Sequence, residues 1–159
     1  RDPGHPFRTA AGEGAPEQDA KPAAWGEGLG GAGTALTDAG IAVAIVHPVP
    51  HFLDWDPRTC APARLRRGDC GRSVDLAQVD TERGGVVAVE EAAVRGAAGA
   101  PATTVDLVPE LCRAGRCTTN EGSRWRYRDG VHLTVGASTA LSPTFTALLD
   151  EVRASSARP

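Results

Sequence analysis

IAVAIVHPVP, residues 41–50, opens with six apolar residues in a row, four of them β-branched. A short run with no polar alternation predicts a strand buried on both faces, as in a parallel sheet. His47, Pro48 and Pro50 end it, because proline brings no N–H to a ladder. Before it, Trp25, Leu29 and Leu36 trace a sparse helical stripe over residues 24–39, which Asp38-Ala39-Gly40 brings to a stop. After it, VVAVEEAAVRG predicts a helix over residues 85–96. ATTVDLVPELC, residues 102–112, predicts a second buried strand with Val105, Leu107 and Val108 in the core. Leu141, Phe145, Leu148, Leu149 and Val152 recur at helical spacing in a final helix over 134–154. Helix, strand, helix, strand, helix is an α/β order that implies a parallel sheet. Two strands are too few for a complete one, so further strands are expected elsewhere.

The 159 residues suit one domain. Residues 1–22 are rich in Gly, Pro, Ala and charge, which predicts a flexible lead before a folded part over 23–155. Aromatics make up only 4 % and Met is absent, so core volume must come from Val, Leu, Ile and Ala. A net charge of −3 argues against a nucleic-acid or anionic-membrane surface. RLRRGD, residues 64–69, is the one basic cluster, and a solvated loop accounts for it. No stretch reaches the roughly 20 apolar residues of a membrane span. The N-terminal residues have no hydrophobic signal core and no initiating Met, as expected of a chain cut from something longer.

The four cysteines fall in two close pairs, Cys60 with Cys70 and Cys112 with Cys117. Their spacings do not match the tight knuckles of structural zinc sites, and no histidine sits beside either pair. Local pairing predicts two disulfide-closed loops and an oxidising, extracytoplasmic location. Four free thiols in a reduced protein are the competing possibility.

RYRDGVHLT, residues 126–134, carries the chemistry. Asp129 and His132, three apart at the mouth of a loop entering a helix, are able to face one another. The carboxylate then fixes the imidazole tautomer through one nitrogen and leaves the other as a general base. Alternatively, Asp129 starts a turn with Gly130 and caps the helix, and His132 is an ordinary half-buried histidine.

The residues around this pair resemble the SGNH hydrolase family, whose last motif is Asp-x-x-His. They resemble above all the SGNH domains fused behind membrane-embedded acyltransferases of bacterial cell envelopes. The likeness rests on Tyr127-Arg128-Asp129, Gly130-Val131, His132-Leu133-Thr134 and then Gly136-Ala137. It extends to AGIAVAIVHPVP, to the first cysteine pair and to TVDLVPELCRAGRC, and covers residues 25–149. The resemblance implies a three-layer fold with a parallel sheet. It makes His132 the base that takes a proton from a serine hydroxyl and Asp129 the acid that orients it. The family's Gly-Asp-Ser nucleophile and its oxyanion donors precede the helix near Ala24, so the domain is expected to be incomplete at its N-terminus.

What the resemblance implies for the whole protein is transfer or hydrolysis of an O-acyl ester, chiefly acetyl, on a cell-envelope glycan. No dissociable cofactor is needed, and a membrane-embedded acyltransferase domain is the expected partner, together with a glycan or other acyl acceptor. A non-catalytic, disulfide-stabilised secreted binding module is the rival. GDCGRS offers Cys70 and Ser73 as substitute nucleophiles, but Cys70 follows no buried strand and has Cys60 as a disulfide partner. Gly28, Gly30 and Gly33 fit a dinucleotide-loop pattern without the strand that should precede it. His47 and His51 are expected to be satisfied loop histidines, and no carboxylate–histidine cluster suggests a catalytic metal.

Overall fold

The apolar run that ends at Val46 does become a strand. The computed structural model describes residues 21–156. In chain order they hold α1 (Lys21–Asp38), β1 (Val43–Val46), α2 (Pro62–Arg67), β2 (Ser73–Asp75), α3 (Leu76–Gly96), β3 (Ala102–Val105), α4 (Val108–Leu111), β4 (Cys112–Arg113), β5 (Arg116–Thr118), β6 (Asn120–Glu121), β7 (Arg124–Trp125), α5 (Val135–Ala140) and α6 (Ser142–Ser156). The fold is α/β. Its elements fall into two units. The first joins the described residues up to His47 with Gly84–Val105 and the stretch from Glu151. The second joins Pro48–Arg83 with Asp106–Asp150. The lead expected over residues 1–22 lies outside the described residues, except for Lys21 and Pro22, which begin α1.

In the first unit β1 and β3 run parallel, Val43 opposite Ala102 and Val46 opposite Val105. The ladder continues as the His47 amide donates to the Val105 carbonyl at 2.9 Å. Helix α1 stops where predicted. Gly40 takes a left-handed φ of 79°, and the Ile41 amide reaches back to the Leu36 carbonyl. The expected apolar stripe does not form along α1. Trp25 and Leu36 are 42 % and 41 % exposed, and the buried residue of this helix is Thr37.

A polar pair lies inside this unit. His47 Nδ1 and Glu90 Oε2 meet at 2.7 Å with side chains only 4 % and 5 % exposed. A carboxylate out of water needs a partner of this kind. His47 is therefore satisfied, as expected, though within the interior and not at a loop surface. His51 is exposed.

The second unit contains what short-range periodicity could not reveal. Strands β2, β5 and β4 form an antiparallel sheet in that order. The β4–β5 hairpin turns on Ala114 and Gly115, both with positive φ, 50° and 75°, as a two-residue turn between twisted strands requires. Cys112 and Cys117 face each other across it and are joined by a disulfide. The second disulfide, Cys60–Cys70, also forms, and neither pair leaves a free thiol.

Four expectations need correction. The strand proposed over 102–112 ends at Val105, because the Asp106 carboxylate accepts the Val108 amide in a turn and Pro109 sits at the start of α4. Leu107 and Val108 are core residues, but from a turn and a helix. The basic cluster 64–69 is solvated yet belongs largely to α2, which ends at Gly68. The last helix divides at Leu141, with Pro143 in the first turn of α6. Helix α3 also begins well before residue 85. Its first turns are held by polar pairs, Gln78 with Glu82 and Arg83 with Asp80, which carry no apolar period.

The buried pair yields a test. His47→Leu leaves Glu90 buried without its partner and is expected to destabilise the first unit by about 3 kcal/mol or more. His47→Leu combined with Glu90→Leu recovers most of the loss. Amide exchange at Ile45 and Val105, which face each other's strand in the parallel ladder, measures both. Equal protection in the wild type and the single variant refutes the assignment.

Candidate active site

Thr119 sets the position of the residues that lead to the candidate dyad. It is fully buried. Its amide donates to the Arg72 carbonyl, its hydroxyl accepts from the Arg72 amide, and its carbonyl accepts the amides of Arg126 and Tyr127. Tyr127 then bridges Leu133 in antiparallel fashion. The Arg128 amide donates to the His132 carbonyl at 2.9 Å, and the Thr134 amide to the Arg126 carbonyl at 2.8 Å. Residues 128–132 are thereby a short loop pinned at its ends. Thr134 caps α5, its hydroxyl accepting from the Ala137 amide and donating to the Trp125 carbonyl.

Aromatic rings fix the loop from below. Phe52 meets Tyr127 edge-on with centroids 4.9 Å apart, and Trp55 stacks on Trp125 at 5.4 Å. Both indole N–H groups end on backbone carbonyls within the first disulfide loop, Trp55 on Cys70 and Trp125 on Leu65. The Phe52 amide donates to the Gly130 carbonyl. A Cβ at position 130 would lie 2.6 Å from the Phe52 carbonyl oxygen, so only glycine fits.

Within this frame one Asp129 carboxylate both shapes the turn and faces the imidazole, whereas the cap of the following helix falls to Thr134 and not to Asp129. Oδ1 accepts the amides of Val131 and His132 at 3.0 and 2.8 Å, which shapes the turn. His132 Nδ1 lies 2.9 Å from both Asp129 oxygens. The backbone amide of Val131 above all, then the His132 amide and imidazole, holds the Asp129 carboxyl down at about 2. An ionised carboxylate only accepts, so Nδ1 carries the hydrogen and Nε2 of the neutral ring keeps its lone pair. His132 is 59 % exposed. It lines an open cavity of about 580 Å³ with Leu53, Trp55, Asp56, Arg58, Arg128 and Val131 among its walls.

No serine, threonine or cysteine lines that cavity among the described residues. Cys70 is held in its disulfide. Ser73 lies on β2, where its hydroxyl accepts from Arg116 Nε at 2.8 Å. Gly28, Gly30 and Gly33 are helical residues of α1 and form no phosphate loop. Sequence reasoning did not single out Trp55 or Arg58, and it named Arg128 only as part of the Tyr127-Arg128-Asp129 motif, with no role at the site. Trp55 and Arg58 lie some seventy residues from the dyad, and no local pattern connects them to it.

The dyad has a pH signature. The Asp129 side-chain carboxyl is expected to titrate near 2, below the ordinary 3.8. A depressed carboxyl pKa stabilises the loop fully above the unfolded value and loses that effect as pH falls through the folded one. The Val131 and His132 amide resonances should therefore hold their positions at pH 4 and move only on approach to pH 2. A midpoint near 4 in a carboxyl-carbon titration refutes the hydrogen-bond set.

No curated protein and no solved structure matches the chain. The family described as SGNH domain (fused to AT3 domains) matches residues 4–147, which is most of the sequence. The chain belongs to that SGNH-domain family.

Proposed function

We propose that Asp129 and His132 are the acid and base of a Ser-His-Asp triad. Its reaction is transfer or hydrolysis of O-acyl esters, chiefly acetyl, on cell-envelope glycans. The observation that carries this is the imidazole held through Nδ1 by an ionised carboxylate, with Nε2 uncommitted on an exposed ring lining a cavity. Family membership in domains fused to AT3 acyltransferases supports the chemistry. The two disulfides support an extracytoplasmic location beside a membrane-embedded partner domain.

In this mechanism His132 Nε2 takes the proton of a serine hydroxyl as that oxygen bonds to the acyl carbon. The tetrahedral intermediate collapses, and His132 returns the proton to the departing alcohol oxygen. Water or a sugar hydroxyl then attacks the acyl-serine, losing its proton to the same nitrogen, and serine is restored. Asp129 keeps the imidazolium oriented and charge-paired throughout. The serine comes from outside residues 21–156, and residues 1–20 contain neither serine nor cysteine. In the same proposal β1 and β3 belong to a larger parallel sheet of a three-layer fold, which a two-stranded pair needs for stability.

The rival binding module keeps Asp129 as a turn former alone. The full-length protein, assayed with an aryl acetate, separates the two. His132→Ala should lower kcat/KM by about 10³-fold or more with folding unchanged. The 159-residue chain by itself should leave hydrolysis at background. Full activity in the His132→Ala protein would favour the binding module.

A further inference from the structure

The charged walls of the His132 cavity are sorted by sign. In each Arg–Asp pair the guanidinium is the more exposed partner, Arg58 over Asp56 and Arg128 over Asp129. The side chains of Arg58 and Arg128 are 88 % and 66 % exposed, against 39 % and 43 % for the two carboxylates. Asp56 is satisfied by the Arg58 amide and by Nε and an η nitrogen of the same residue. Asp129 is satisfied by two amides and the imidazole. The guanidiniums are not used up in return. Arg58 keeps its second η nitrogen outside the fork with Asp56. Arg128 is tied to Asp129 only by a 3.7 Å contact from Nε, beyond hydrogen-bond length. A molecule entering the cavity therefore meets two planar donor sets beside the general base, while the carboxylates are already occupied.

From this we infer that the acyl acceptor or donor recognised here is a glycan bearing oxyanions, either uronate carboxylates or phosphates. Arg58 and Arg128 are its specificity-determining residues. Guanidinium forks match both oxyanions in geometry, and a lysine in their place would not. Leu53, 80 % exposed on the same wall, gives the sugar's apolar face a surface beside the charges. The inference rests on the acyl-transfer proposal for the choice of a glycan, but its charge preference is measurable by binding alone.

The test is a titration of the ¹⁵N-labelled chain with tetragalacturonate, with a short glycerol-phosphate oligomer and with neutral chitotetraose. Arg58 and Arg128 Nε–Hε and the His132 ring are the signals followed. Saturable shifts with at least one anionic oligomer and weaker response to chitotetraose support the site. The oligomer that binds tells carboxylate from phosphate. Arg128→Gln should weaken that binding about tenfold, and Arg128→Lys should restore only part of it. Equal binding of all three oligomers, no saturable shift, or an Arg128→Gln variant that binds like the wild type overturns the inference. Loss of charge selectivity with His132-dependent hydrolysis intact would sink this inference alone. Charge-selective binding in a protein whose hydrolysis ignores His132→Ala would sink the acyl-transfer proposal alone.

Discussion

The hydrogen bonds of one residue, Thr119, hold the site-bearing unit in register. Thr119 is excluded from solvent and joins three stretches of chain through its amide, hydroxyl and carbonyl. On one side lies Arg72, at the exit of the first disulfide loop. On the other lie Arg126 and Tyr127, from which the dyad loop springs. Buried amides without partners are costly, so these three stretches cannot separate without leaving several donors unpaired together. The position of Asp129 is thus inherited from a residue ten places upstream that touches no part of the cavity.

The dyad itself is stiff for a related reason. The carboxylate that orients the imidazole also closes the turn between the two residues, so loop conformation and ring orientation change together. Gly130 adds a second restraint, because the loop lies against the Phe52 carbonyl with no room for a side chain. An imidazole on an exposed loop would ordinarily sample several rotamers. Here the ring is tied at Nδ1, and its backbone amide is tied to the same oxygen, Oδ1.

How much of this the sequence displayed depended on the length scale of each signal. The β1 strand was legible because four β-branched residues lie within six positions. The disulfides were legible because their partners are close along the chain, and the dyad because its spacing is short and its flanks distinctive. The antiparallel sheet was not, since strands of two or three residues are too short to display a period. Val108 and Leu107 were recognised as core but given the wrong element, because burial shows in composition whereas Asp106 and Pro109 decided the backbone. The His47–Glu90 pair spans 43 positions, and nothing local in Glu90-Glu91 tells which of two adjacent glutamates is buried. Part of the cavity wall was hidden for the same reason: Trp55 and Arg58 reach Arg128 and the dyad only through tertiary packing.

The hairpin disulfide has a consequence of another kind. Cys112 and Cys117 are directly opposed, one on each side of a two-residue turn. A strand slipped by one place would present every side chain to the wrong face, carrying Thr119 out of the interior. A covalent link between opposed residues is incompatible with that slipped pairing. It acts as a key that admits one alignment, the one in which the threonine is buried.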